Sequence, residues 1–247
     1  MNRKNKKGKF HFIIKIAGMV ISVCLVLVLI AYSRTWGKTE LEFNIHINEE
    51  LVLQSVFGES PTFAIWIENP ETGATQTVFV TGRAGLDDWE GKHEVPVALP
   101  QWDAIKKHER PSNSRPEEDD PHLDGITGAT PKPGYFTTRV RVEPGSKWIC
   151  WIEMNLSGDY NEYYREYDEK GITLDEYGDG QPALVYRTEI EAVKGNQVVP
   201  EVKGMSLLNT DAEKIIRPVD GMTTALDVFD EISVAVVSPK PKIIAHR

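Results

Sequence analysis

From residue 39 onward, apolar side chains recur at every second position in short runs, and the runs are separated by glycine and proline. No stretch of this body sustains an apolar repeat of helical period. The clearest run sets Leu41, Phe43, Ile45 and Ile47 against Glu42, Asn44 and His46. A period of two marks a strand with one buried face. His46 falls on the polar side and is read as a solvated histidine. Further strands are expected through Phe63, Ile65 and Ile67, and over 77–81, 135–142, 147–156, 183–193 and 232–237. The Asn69-Pro70-Glu71-Thr72-Gly73 composition predicts a hairpin joining the second and third strands. Turns at Glu143-Pro144-Gly145 and Lys194-Gly195-Asn196 are expected to join later pairs, the second bringing a partner near 197–202 beside 183–193. Such a pattern predicts a mainly β, antiparallel sandwich over 39–238.

Two segments break the rhythm. Residues 82–134 form a long loop in this reading, interrupted over 101–109 by a short helix with Trp102 and Ile105 inward and Pro100 suited to its first turn. Residues 211–216 are expected to make one helical turn. Unstructured loops as long as 82–134 usually carry function or are disordered.

Ahead of this body lies a different kind of chain. Residues 1–15 hold six basic residues and no acid, and 16–33 are nearly all apolar. About twenty apolar residues span a bilayer as helix, and the positive flank stays in the cytoplasm. The sequence therefore predicts a basic cytoplasmic tail (1–15), a transmembrane signal-anchor (16–33), a spacer (34–38) and a body facing outward, at the cell surface or in the periplasm. Ala31-Tyr32-Ser33 supplies the competing small-x-small cleavage site, which would make the run a removable signal peptide. A basic tail (239–247) closes the chain.

Charge and cysteine content narrow the function classes. Six of the 28 basic residues lie in 1–15, which leaves 22 against 37 acids, a balance of −15. A body that acidic repels nucleic acid, whose affinity comes from clustered Lys and Arg. Of the two cysteines, Cys24 lies in the apolar run. Cys150 is left alone and is read as a buried, inert thiol. There is neither a Gly-x-Ser-x-Gly elbow nor a His-Glu-x-x-His helix, since Val97 stands where His93-Glu94 would need its second histidine. The acids at 117–120 with His122 and Asp124 are a candidate hard-cation site, weighed against an ordinary solvated acidic loop. Asp175, Asp179 and Gly180 resemble part of a calcium loop but miss the EF-hand spacing.

One stretch stands apart: Asp124, Gly125, Ile126, Thr127, Gly128, Ala129 and Thr130, followed by Pro131. Two glycines and an alanine leave the backbone open, and a residue before proline is pushed toward extended shape. Thr130 would thus be presented on exposed backbone. Thr72-Gly73-Ala74-Thr75 repeats the last four residues, but Asn69 stands where Asp124 stands in the other copy.

The 124–130 stretch resembles the acceptor motif for covalent FMN attachment: an Asp, two variable residues, Ser or Thr, Gly, Ala, then Ser or Thr. That motif occurs in flavin-carrying subunits of sodium-pumping NADH:quinone oxidoreductase and in exported bacterial FMN-binding domains. The resemblance implies that an exported flavin transferase joins FMN to Thr130, with Asp124, Gly125, Thr127, Gly128 and Ala129 as its recognition residues. From residue 61 to about 153 the chain is also similar to the domain of unknown function 2271 family of exported bacterial proteins. That similarity rests on Ala64-Ile65-Trp66-Ile67-Glu68, Leu99-Pro100-Gln101-Trp102 and residues 124–134. The family usually carries a basic residue after the acceptor Thr, where this chain has Pro131. It implies an immunoglobulin-like sandwich that works beside flavin-transfer and membrane electron-transfer proteins.

Tyr160, Tyr163, Tyr164, Tyr167, Tyr177, Tyr186, Trp148 and Trp151 are candidate stacking faces for a flavin ring. The blander reading makes Tyr186 and one Trp core, with 159–167 a surface loop. Two functions follow: a membrane-tethered electron carrier with FMN on Thr130, or a cofactor-free sandwich that binds a partner or glycan through its loops.

Overall fold

The computed structural model describes residues 3–35, 37–85, 98–109, 127–207 and 215–239. The chain opens with helix α1 (Arg3–Thr35) and strand β1 (Thr39–Ile47). A short helix α2 (Glu49–Gln54) precedes the hairpin of β2 (Thr62–Glu68) and β3 (Thr75–Thr81). Then come α3 (Gly82–Gly85), α4 (Pro100–Glu109), β4 (Thr127–Gly128), β5 (Gly134–Val142), β6 (Lys147–Asn155) and β7 (Ala183–Glu191). The last elements are β8 (Gln197–Val198), β9 (Glu201–Ser206), β10 (Ile215–Ile216), a 3-10 turn (Thr224–Leu226) and β11 (Phe229–Val237).

Among the described residues these strands form two sheets, ordered β5-β1-β11-β8 and β10-β9-β7-β6-β2-β3-β4. Every pairing is antiparallel except β3 with β4. The sheets pack face to face as a β-sandwich. Leu41, Phe43, Ile45 and Val234 of the small sheet meet Phe63, Ile65, Ile152 and Met154 of the large one in a single buried cluster. The Phe63 ring centre lies 5.2 Å from Phe79, 5.4 Å from Phe136 and 5.3 Å from Phe229, which ties both sheets together.

The alternation of β1 becomes its burial pattern, with every odd residue from Thr39 to Ile47 buried. Its outer face is not bare. Glu42 accepts from Arg139 Nε at 2.6 Å, and His46 Nδ1 lies 2.6 Å from Asp230 Oδ1 with its ring 4.4 Å from Tyr135. His46 thus lies on the polar face as expected, partly exposed, and is paired there with Asp230.

The central strands β2 and β6 have two cores because both faces of the large sheet are covered. Phe63, Ile65 and Ile67 point between the sheets. Ala64 and Trp66 point outward into a second cluster with Val80, Ala84, Leu99 and Trp102. Helix α4 supplies Trp102 and Ile105 to that cluster, as expected, and begins at Pro100, where a missing N–H costs nothing.

Three other expectations are corrected. The turn over 194–196 does not return the chain beside β7. It crosses to the small sheet, where β8 pairs with β11, and the chain then returns so that β9 pairs with β7. Pro200 lies between the two strands and cannot donate to a ladder, so the run over 197–202 splits there. Ile215 and Ile216 pair with β9 as strand instead of joining a helical turn, and 211–214 lie outside the described residues. Among the described residues the buried tryptophans are Trp66 and Trp102, whereas Trp148 and Trp151 are only partly buried.

Among the described residues no helix is long and apolar enough to cross a membrane. The described apolar side chains of α1 between Ile16 and Ile30 are nevertheless exposed, Met19 at 71% and Leu29 at 68%, and none of them joins either core.

Candidate functional site

The acceptor segment is described from Thr127 onward, and Asp124, Gly125 and Ile126 lie outside the described residues. Thr127 and Gly128 form β4, which pairs in parallel with Val80 and Thr81 at the edge of the large sheet. Gly128 has no room for a side chain, since a Cβ there would stand 2.6 Å from Cε2 of Phe79. After Gly128 the chain leaves the large sheet, and Ala129 and Thr130 are exposed. At Gly134 it enters β5, the edge of the small sheet. The Thr130 hydroxyl makes no hydrogen bond among the described residues. Lys132 and Tyr135 follow on exposed backbone, Tyr135 with 77% of its surface free.

The second copy is built differently. Asn69 Oδ1 accepts from the N–H groups of Glu71 at 2.9 Å and Thr72 at 3.1 Å, and Asn69 N donates to the Ala74 carbonyl at 2.8 Å. Gly73 takes φ 69°, which a hairpin turn of this kind requires. Thr75 is then the first residue of β3, in register with Glu68. The expected hairpin is present, and this Gly-Ala-Thr is its turn.

A second site comes from the connection between β6 and β7, residues 156–182. Its only strand-like contact is a bridge between Tyr167 and Thr173. Its order comes from side chains that bind backbone. Asp175 accepts from the N–H groups of Tyr177 at 3.2 Å, Gly178 at 3.0 Å and Gly180 at 2.7 Å. Asn161 Oδ1 accepts from Tyr163 and Tyr164, while its amide donates to the Gly221 carbonyl at 2.8 Å. Gln181 donates to Asp159 Oδ2 at 2.7 Å and accepts from Thr223 N at 2.7 Å, and Thr224 donates to Asp159 Oδ1. Asp159 is 5% exposed, which corrects its placement on a surface loop. Burial raises its carboxyl above the usual range, against the two hydrogen bonds that lower it.

These contacts hold open a cleft of about 490 Å³ between the Tyr163–Arg165 and Leu174–Gly180 limbs, with Pro182 and Leu207 on one side. Tyr163 and Tyr164 meet edge to face at 5.0 Å. Asp179 lines the cleft and is 7% exposed. Its carbonyl accepts from Asn155 at 3.2 Å, but its carboxylate has no hydrogen-bond partner among the described residues. Burial, and then the Asp175 carboxylate, push the Asp179 carboxyl up to about 7. The ends of β3 and β6 and the start of β7 lie at the same end of the large sheet. Thr130 and the cleft thus both follow strands that finish at that end, with β2 and β3 between β6 and β4 in the sheet order.

Two buried groups complete the inventory. Cys150 is 1% exposed, and burial pushes its thiol up to about 12, which leaves it inert as expected. Glu153 is wholly buried on the outer face of β6 and caps α4, accepting from Gln101 N at 3.1 Å and Trp102 N at 2.8 Å. Burial pushes its carboxyl up to about 8, outweighing the helix N–H groups and the Ser206 hydroxyl that favour the charge. Among the described residues no group of three or more acidic, His or Cys side chains could hold a metal ion. The acidic stretch over 117–124 lies outside them.

The tyrosine positions in the sequence do not by themselves reveal the cleft. Its signal was local: Asn161, Asp168 and Asp175, each followed within five residues by N–H groups that its side chain binds. Compared with known proteins, the chain matches no family model, no curated protein and no solved structure.

Proposed function

We propose that the chain is an extracytosolic flavoprotein, an immunoglobulin-like sandwich tethered by α1, that carries FMN on Thr130 and passes electrons to or from membrane redox partners. The observation that carries this reading is the contrast between two identical Gly-Ala-Thr cores. One ends in a Thr that is exposed and outside all strand pairing. The other ends in a Thr locked into the β2–β3 register. A transferase that wraps its target in a cleft accepts only the first. Its reaction cleaves the pyrophosphate of FAD, joins the FMN phosphoryl to the Thr130 oxygen, and releases AMP and the hydroxyl proton.

The surroundings fit such a group. Ala129 is small, the Lys132 cation lies two residues from the phosphoester, and Tyr135 offers a free aromatic face. The flavin supplies one- and two-electron chemistry, and the sandwich supplies position. Anchoring is supported by the exposed apolar side chains of α1, which an aqueous surface would not leave uncovered. Similarity to the domain of unknown function 2271 family belongs to the same proposal.

Co-expression of the full chain with a flavin transferase, followed by peptide mass spectrometry, tests it. The peptide containing Thr130 gains one FMN, Thr130→Ala loses it, and Thr75→Ala keeps it. An unmodified Thr130 peptide beside a transferase active on another target refutes the proposal.

A further inference from the structure

We propose that the tyrosine cleft beside Asp179 binds an organic cation, an ammonium or guanidinium group on an extended stem, with Asp179 as its counter-ion. This site is independent of Thr130 and of any flavin.

Three observations converge on that chemistry. A carboxylate 7% exposed and without a partner among the described residues is costly unless an opposite charge or donor meets it. The neighbouring groups do not supply one. Asp175 already holds three N–H groups, and Arg165 Nε donates to the Glu162 carbonyl at 2.8 Å. Among the described residues no side chain makes a hydrogen bond or ion pair to the Asp179 carboxylate, which leaves it open to an occupant of the cleft. Among the described residues the charged groups that face the space are Asp175, Glu176 and Asp179 against Arg165. That balance attracts a cation and repels phosphate or carboxylate ligands. Tyr163 and Tyr177, 68% and 39% exposed, offer ring faces, which attract cations through their negative quadrupole. Pro182 and Leu207 carry no charge into the cleft; Tyr163, Tyr164 and Tyr177 are the other titratable groups lining it, and the Tyr160 hydroxyl, hydrogen-bonded to Asp175, lies within reach of the Asp179 charge.

The cleft is also built in advance. Gly180 at φ 75° packs so closely that a Cβ would stand 2.6 Å from Asp159 N, and Gly221 at φ 77° packs the same way against Tyr163. A rigid site binds without first having to order its walls. Its volume lies in the range of small-molecule pockets, which suits one side chain or a small amine.

Isothermal titration of the full chain with n-butylammonium, n-butylguanidinium, a lysine-bearing tetrapeptide and maltose tests the proposal. Both small cations bind at about pH 8, and maltose does not. The tetrapeptide arm separates a free amine from a peptide side chain as the source of the cation, since only a cleft open to peptide takes both. At pH near 7 binding releases a proton, seen as heat that depends on buffer ionisation, because the cation converts the neutral Asp179 carboxyl to carboxylate. Asp179→Asn preserves shape and weakens cation binding by about 30-fold or more. Tyr177→Leu, at an exposed position, weakens it by several-fold while the far-ultraviolet dichroism stays unchanged. No cation binding at about pH 8, equal binding by folded Asp179→Asn, or binding of maltose alone overturns the proposal.

Discussion

Replacing Glu153 by glutamine isolates one buried proton. In the folded chain Glu153 titrates at about 8, against 4.5 when exposed, because it is wholly buried behind α4. Between those two values the unfolded chain gives up this proton and the folded chain keeps it. Stability therefore falls as pH rises, by about 1.4 kcal/mol per pH unit and by roughly 5 kcal/mol across the whole window. Below the window this loss is absent. Asp159 and Asp179 are shifted the same way, so the wild-type slope contains all three. The difference between wild type and Glu153→Gln belongs to Glu153 alone. Glutamine fills the same space but offers one oxygen to the two N–H groups of Gln101 and Trp102, and its amide faces the other donor. At pH 5 the variant should be less stable by about 1–3 kcal/mol. With rising pH the wild type loses its advantage, and the two curves converge or cross by pH 8. Urea titrations of the full chain in mild detergent at pH 5, 6, 7 and 8, followed by tryptophan fluorescence, measure this directly. Trp66, Trp102 and Trp151 all lie in or against the cluster that Glu153 abuts. Parallel curves would refute the reasoning, because they would mean Glu153 is ionised in the folded chain throughout.

Two further substitutions test the packing. Gly128→Ala brings a methyl group into a ring held by Phe63 and Phe136, and should lower stability by about 1–3 kcal/mol in the same urea assay. An unchanged midpoint would show that β4 moves away freely. Tyr186→Phe removes a buried hydroxyl with no hydrogen-bond partner among the described residues, so it should be neutral or stabilising by up to about 1 kcal/mol. A loss of that size would reveal a partner for the hydroxyl.

The elements legible in the sequence were those whose neighbours are close along the chain. The β1 alternation, the β2–β3 hairpin and the α4 face were visible because period and turn chemistry are local signals. The switch of β8 to the small sheet was not, since its partner β11 is more than thirty residues away. Helix α2 had a readable start, Asn48 capping Leu51 N with Glu49 and Glu50 behind it, but its single turn carries no period. The second core was hidden because β2 and β6 are buried on both faces, which leaves no alternation to read. The cleft was hidden for another reason. Tyr163, Tyr177 and Asp179 meet through backbone turns, and no spacing rule brings such residues together.

The pairing of β4 has a consequence for how easily the two Gly-Ala-Thr segments can be withdrawn from the protein. Lifting Thr130 into another molecule disturbs at most two paired positions, at the margin of a sheet. Lifting Thr75 begins to unzip a hairpin with five paired positions, whose far residues Phe79 and Val80 belong to the two cores. Local opening spans free energies from near zero at fraying margins up to the full stability of the core. The two copies therefore lie toward opposite ends of that scale. The folded sheet thus makes one of two chemically identical threonines accessible and withholds the other, before any side chain is recognised.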